Sequence, residues 1–279
     1  LPPEEPFYQV PVLIIPPWIN KYYIFDLQEH NSFIRWNTEK GHIVYVISWA
    51  NPDAKHAQTS LEDYLLKGID QAVQTIFKAA NTPQVNALGF CVGGVALLTL
   101  MSYYHKKGQN CFRSATLLAS PVDFRLMGVL SVFVNQEELT SLEPLLQKQG
   151  GLQGEAMMHV FRSLRANELI WPNYINNYLL GKKPKALDFL FWNSDITNLP
   201  AKMHLEYLKE FYIGNALQEA NKYSLKGIPI DLSRVKTPSF IIATQRDHIV
   251  PWKAAYAGFQ KLENSYFLLG GSGHIAGII

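Results

Sequence analysis

A cysteine stands among glycines at Gly89-Phe90-Cys91-Val92-Gly93-Gly94, where an apolar run gives way to a helical pattern. The form is G-x-C-x-G, the strand-turn-helix arrangement of a nucleophile elbow with a thiol in place of the usual hydroxyl. Such a turn needs glycine two residues before and two residues after the nucleophile, because a Cβ at either place meets neighbouring backbone. The helix that follows points its positive end at the sulfur and favours thiolate over thiol. The amide of Val92 is then placed to donate to an oxyanion that develops on an attacked carbonyl. Taken alone, Cys91 also suits a small buried core residue packed between glycines, so its partners have to be found elsewhere in the chain.

An elbow takes its acid and its histidine, in that order, from loops after later strands. Asp247 follows the apolar run Ser239–Thr244, and His274 follows Ser265–Leu269 through Gly270-Gly271-Ser272-Gly273. His248 adjoins the acid and competes with His274 for the role of base, but it does not lie on the last strand's loop; His274 is taken as the base and His248 is placed beside the substrate. The loop after the first strand supplies a second oxyanion donor in such sites. Pro16-Pro17-Trp18-Ile19-Asn20 fills that place, and the Ile19 N–H is the candidate. His30, His42, His56, His105, His159 and His204 lack the spacing of a metal site, so no metal is expected. Cys111 reads as structural, and Lys182-Lys183 reads as a solvated pair that could meet a phosphate.

The choice of sulfur carries information. A thiol exchanges with a thioester at nearly no energetic cost, whereas a serine would turn a thioester into an ester. A cysteine elbow therefore leans toward acyl transfer that keeps the acyl group activated. Dienelactone-type hydrolases also use cysteine, so a hydrolase stays open at this point.

The elements that must hold these residues follow from periodicity. Gln9–Ile15 is a short apolar strand stopped by Pro16-Pro17, and His42–Ser48 is a second strand. Ser60 and Asp63 have the spacing of a capping box. The helix behind them runs to about Ala80, with apolar positions at Leu65, Ile69, Ala72, Val73 and Ile76. Val85–Phe90 is a third strand, the helix Val95 to His105 follows the glycines, and Ser114–Ala119 is a fourth strand. Near-continuous apolar strands alternating with helices predict a mostly parallel sheet covered on both faces. From 122 to 234 no strand pattern stands out, and aromatic and amide residues are scattered through it: Trp171, Asn173, Tyr174, Tyr178 and Phe191-Trp192-Asn193. The expectation is an α/β core made of residues 1–121 and 235–279, with a mainly helical cap of residues 122–234 over the site.

Composition narrows the class. The 279 residues are 48% hydrophobic and 17% charged, against roughly 25% charged in an average domain, so most of the chain folds. A net charge of +2 does not announce a nucleic-acid partner. Cys91 and Cys111 cannot form a disulfide framework, and so few thiols fit a reducing compartment. Val85–Tyr104 holds 20 residues without a charge, long enough to cross a bilayer. Gly89, Gly93 and Gly94 interrupt it, however, and a buried strand, turn and helix explain it better than a membrane span. The start Leu1-Pro2-Pro3-Glu4-Glu5 has no Met, basic stretch or apolar stretch, and the end is the apolar Ile275-Ala276-Gly277-Ile278-Ile279. No signal peptide is visible in this sequence, and both ends suggest part of a longer protein.

Six blocks together carry a family resemblance: Pro16-Pro17-Trp18-Ile19-Asn20-Lys21-Tyr22-Tyr23-Ile24, Ser48-Trp49-Ala50-Asn51-Pro52-Asp53, Gly89-Phe90-Cys91-Val92-Gly93-Gly94, Phe191-Trp192-Asn193-Ser194-Asp195, Asp247-His248-Ile249-Val250-Pro251-Trp252 and Gly273-His274-Ile275-Ala276-Gly277. Across nearly the whole chain the sequence resembles the polyhydroxyalkanoate synthases. The first block departs from many members in carrying Trp18 where they have a smaller residue. The resemblance implies an α/β-hydrolase fold with a cap. It implies polymerisation of (R)-3-hydroxyacyl-CoA into polyester with release of CoA, which is then part of the substrate and a product rather than a cofactor. It implies Cys91 as the acyl-carrying nucleophile, His274 as the general base and Asp247 as its partner. It also implies a homodimer, meeting through the cap, on cytoplasmic polyester granules. Two rivals remain at this point: a Cys-dependent thioesterase or lactone hydrolase, and a non-catalytic granule-surface or dimerisation module.

Overall fold

The computed structural model describes residues 7–164, 171, 174–183 and 188–278. Leu1–Glu5, Asn173 and Ile279, which entered the reading above, lie outside the described residues.

Six strands form one sheet: β1 (Tyr8–Ile15), β2 (His42–Val46), β3 (Val85–Phe90), β4 (Phe112–Leu118), β5 (Ser239–Thr244) and β6 (Ser265–Gly270). Their spatial order is β6-β5-β4-β3-β1-β2, and every neighbouring pair is parallel. The registers Ile15↔Gly89 and Gly89↔Leu117 bring the carboxyl ends of β1, β3 and β4 level. From β1 the chain steps outward to β2, then crosses back to β3 and continues the other way. The order therefore reverses between β1 and β3, and the crevice at such a reversal is where open parallel sheets bind ligands. Cys91 directly follows β3, and Pro16-Pro17-Trp18 directly follows β1.

The helix behind the elbow, Val92–Lys106, is buried at every position from Val92 to Tyr104. A helix that is apolar all round has to be enclosed, and this one is, despite an uncharged run that could pass for a membrane span. No helix among the described residues is long and apolar enough to cross a membrane. The helix begins at Val92 rather than Val95. Glycine pairs weaken a helix by entropy, but here Gly93 and Gly94 sit where close backbone contacts need them, so packing overrides propensity. The capping box at Ser60 forms as its spacing predicts, with the Ser60 side chain accepting from the Asp63 N–H and Asp63 accepting from the Ser60 N–H at 2.9 Å. The helix it starts is not uniform: Leu61–Asp63 leads into a π-helical stretch, Tyr64–Asp70, before Gln71–Ala79.

Among the described residues between β4 and β5, no strand joins this sheet. Helices Gln136–Gln149, Gly154–Leu164, Asp188–Ser194 and Ala201–Tyr207 occupy the interval. Two-residue ladders also occur there, Gly151–Leu152 with Leu199–Pro200 and Ser224–Leu225 with Ile228–Pro229. The sequence reading saw no strand in this stretch, since two residues are too few to show a period of two.

Candidate active site

The elbow is built by close backbone contacts. Cys91 adopts φ 53° and ψ −122°, a region that L-residues avoid and that costs of order 1–3 kcal/mol. The surroundings hold it there. The Cys91 N–H donates to the Leu118 carbonyl at 2.8 Å, tying the turn to the end of β4. A Cβ on Gly89 would lie 2.5 Å from the Gly94 Cα, and one on Gly93 would collide with the Ile15 carbonyl oxygen. Both flanking glycines are therefore required by space. Gly93→Ala is expected to lower stability by about 3 kcal/mol or more, because the obstacle is backbone that cannot swing aside. A urea midpoint close to that of the parent would contradict this.

Two loops bring the partners in. Asp247 follows β5 and His274 follows β6; both are buried, and His274 Nδ1 lies 2.7 Å from Asp247 Oδ2. The other carboxylate oxygen, Asp247 Oδ1, accepts from the N–H groups of Ile249 at 2.9 Å and Val250 at 2.8 Å. The carboxylate is thus held on one side while it orients the imidazole on the other. Phe90 stacks on the His274 ring with centroids 5.2 Å apart. Burial alone would lower the His274 pKa, but the charge on Cys91 and the Asp247 carboxylate outweigh it and raise the pKa above the ordinary histidine value. That is the direction expected of an imidazole that takes and holds the thiol's proton. Cys111, by contrast, does not line the cavity; burial first, then Asp70, pushes its pKa up to about 11, which suits an inert core thiol.

Cys91, Val92, Ile19, His248 and His274 all line one cavity of about 990 Å³. Val92 occupies the first helical position, where the N–H has no partner within the helix. Met127, Leu130, Leu142, Leu146, Met157 and Phe161 give the cavity an apolar wall contributed by the segment between β4 and β5. Neither Lys182 nor Lys183 lines it, and Lys182 Nζ donates to Asn176 at 3.1 Å.

The loops around the cavity are clamped to one another by side chains drawn from separate sequence blocks. The Tyr23 hydroxyl donates to Asp195 Oδ2 at 2.8 Å, and Trp192 Nε1 donates to the Lys21 carbonyl at 2.6 Å. Trp49 Nε1 donates to the Pro16 carbonyl at 3.0 Å, and the Asn198 N–H donates to Asn51 Oδ1 at 2.8 Å. These bonds explain why blocks around Trp18, Trp49 and Trp192 occur together: each satisfies backbone or side-chain groups of another. Trp18 is buried to 1% exposure, with Trp49, Tyr64 and Tyr207 edge-on around it.

Sequence reasoning set His204 aside, yet it lines the cavity and is buried, and its Nδ1 has no hydrogen-bond partner among the described residues. Burial holds its pKa down at about 4. A histidine with a depressed folded pKa leaves the unfolded chain binding the extra proton. Stability is therefore lost as pH falls from 6.5 toward 4, by on the order of 3 kcal/mol. His204→Gln should flatten that part of the profile. The unfolding free energies of parent and variant, measured at pH 7 and pH 5, should differ in their fall by about 2 kcal/mol; parallel profiles would contradict it.

Comparison with known proteins decides the family. A family model for the alpha/beta hydrolase fold matches residues 10–279. The chain is 45% identical over 273 residues to the poly(3-hydroxyalkanoate) polymerase subunit PhaC of Rhizobium etli, covering 96% of this chain and 42% of that protein. It is 40% identical to the PhaC subunit of Cupriavidus necator, covering 96% of this chain and 47% of that protein. With the PhaC subunit of Thiocystis violacea it shares 30% identity over 254 residues, 89% of this chain and 69% of that one. The chain belongs to the poly(3-hydroxyalkanoate) polymerase family. It spans less than half the length of the Rhizobium and Cupriavidus polymerases and about two thirds of the Thiocystis polymerase. Solved structures match at the level of the fold. A hydrolase from Oleispira antarctica superposes with TM-score 0.58 at 15% identity, covering 97% of this chain and 88% of its own. An esterase from Exiguobacterium antarcticum superposes with TM-score 0.55 at 16% identity, covering 95% and 85%.

Proposed function

We propose that this chain carries the catalytic site of a polyester synthase that joins (R)-3-hydroxyacyl groups from their CoA thioesters through a covalent Cys91 thioester. The observation that supports it most is Cys91 in a strained elbow, on one apolar cavity with the buried His274–Asp247 pair, in a chain 45% identical to a named polymerase subunit.

The chemistry follows from the geometry. His274 takes the Cys91 proton, and the thiolate attacks the thioester carbonyl. The oxyanion is received by the Val92 N–H, with the Ile19 N–H as second donor. Collapse of the tetrahedral intermediate breaks the bond to the CoA sulfur, which leaves with the proton held on His274. The 3-hydroxyl of a further unit then attacks the Cys91 thioester while His274 takes its proton. An ester forms and the Cys91 thiolate is released. Asp247 keeps the imidazole oriented and offsets its charge at each step. The apolar wall keeps water from the acyl-enzyme, and His248 lies on the substrate side of the acid. No cofactor is required, since CoA enters and leaves as part of the reaction.

The same reading has the protein work as a homodimer at the surface of cytoplasmic polyester granules. Exposed apolar side chains between β4 and β5, among them Val132, Tyr178 and Phe191, support an apolar partner surface there, and two free thiols are compatible with a reducing compartment.

Incubation with (R)-3-hydroxybutyryl-CoA tests the reaction. CoA release accompanied by insoluble polyester is expected. CoA release with only soluble 3-hydroxybutyrate would make the protein a thioesterase, and no release with any chain length would make the site non-catalytic.

A further inference from the structure

The cavity that holds Cys91 is walled largely by hydrocarbon, which grips an acyl chain without distinguishing one that carries a 3-hydroxyl. Discrimination of that kind needs a buried polar group that is satisfied only by the correct substrate. Two phenols on the same cavity are not used by the mechanism above: Tyr207 and Tyr212.

The backbone brings them together. Helix Ala201–Tyr207 passes directly into a π-helical stretch, Leu208–Ile213. Residues five apart are nearly opposite on an α-helix, but the i→i+5 bonding of a π-turn stacks them on one face, and such turns collect at functional sites. Tyr207 and Tyr212 are five apart, and their ring centroids are 5.7 Å from each other with the rings edge-on.

The surroundings fix the pair. Tyr207 is buried against Trp18, with centroids 5.6 Å apart, and Tyr212 packs on Phe124 at 5.0 Å. The end of the π-stretch is pinned by Asn215, whose Oδ1 accepts from the Phe124 N–H at 2.7 Å and whose Nδ2 donates to Asp123 at 2.9 Å. Loss of water around the rings, and the charge on Cys91, raise the pKa of the Tyr212 phenol above its ordinary value, so it stays protonated near the nucleophile. Tyr207 is shifted the same way by burial. Among the described residues nothing accepts from the Tyr212 hydroxyl. Tyr212 is only half-buried, and it lines the cavity.

We propose that the Tyr212 hydroxyl, ordered by Tyr207, donates a hydrogen bond to the 3-oxygen of the acyl chain at Cys91 and so selects 3-hydroxyacyl thioesters over plain acyl thioesters. In the growing chain the same oxygen belongs to the ester, which also accepts, so the contact serves both the first unit and later ones. The inference deepens the synthase reading and rests on it.

The test compares CoA release from (R)-3-hydroxybutyryl-CoA and butyryl-CoA, as the ratio of their kcat/KM values, in the parent, Tyr212→Phe and Tyr207→Phe. The parent is expected to prefer the hydroxylated substrate. Tyr212→Phe should shrink that ratio at least tenfold, chiefly through the hydroxylated substrate. Tyr207→Phe should shrink it less, since the donor remains but loses its support. A merely structural role would lower both substrates alike and leave the ratio standing. An unchanged ratio in Tyr212→Phe would overturn the inference and leave the synthase reading intact. So would a parent that does not discriminate. Should Tyr212→Phe fail to fold, an unchanged ratio in Tyr207→Phe overturns it equally. A parent that releases CoA from neither substrate would overturn the synthase reading, and this inference with it.

Discussion

Cys91→Ala is expected to abolish CoA release from (R)-3-hydroxybutyryl-CoA, a fall of at least about 10⁴-fold, because it removes the thiol that carries the acyl unit from the elbow. The effect belongs to chemistry and not to folding. The elbow conformation is held by the Leu118 carbonyl and by contacts at Gly89 and Gly93, none of which involves the sulfur. Cys91→Ser is the sharper version. A serine can sit in the same turn and accept the acyl group, but as an ester whose further transfer to a hydroxyl has lost the thioester's driving force. It should yield no polyester, even where a slow release of CoA and free acid persists. Polymer from Cys91→Ser at a rate near that of the parent would show that the sulfur is dispensable.

Asp247→Asn should lower kcat by about 10³–10⁴-fold with little change in KM. Asp247 Oδ1 accepts from two backbone N–H groups while Oδ2 faces His274 Nδ1. An amide in that place cannot accept on every side. With its oxygen kept on the two N–H groups, its NH₂ faces Nδ1 and forces the proton onto Nε2, the nitrogen that must receive the thiol's proton. The carboxylate is also part of what raises the His274 pKa, so its loss weakens the base as well as misorienting it. The shape of the cavity is untouched, which is why binding should survive. Initial rates over a range of substrate concentrations separate the two constants. A fall in kcat of less than tenfold would mean that the imidazole does not depend on Asp247.

Much of the site was legible in the sequence because its signals are local. The glycine pattern around Cys91 reports a backbone crowded on both sides, and Asp247 and His274 follow apolar runs that become adjacent parallel strands. The sheet was legible for the same reason: buried parallel strands are near-continuous apolar runs. The remainder depended on contacts between distant segments. The start of the elbow helix at Val92 overrides the helix-weakening glycines. The pairing of Tyr207 with Tyr212 depends on a π-turn, which a search at a period of 3.6 residues passes over. His204 had no spaced partner in the sequence and enters the cavity wall through its helix alone. The clamps from Tyr23 to Asp195 and from Trp192 to Lys21 span separate blocks; the sequence showed the blocks together without showing that they touch.

The most direct test of the account is the mass of the protein after brief reaction with (R)-3-hydroxybutyryl-CoA and acid quench, followed by digestion to locate the adduct. The account predicts hydroxybutyryl units added to the peptide that contains Cys91, as a ladder of one repeating mass that lengthens with time and is absent from Cys91→Ala. A protein that turns over substrate while the Cys91 peptide stays unmodified, or while the ladder sits on another residue, would contradict it.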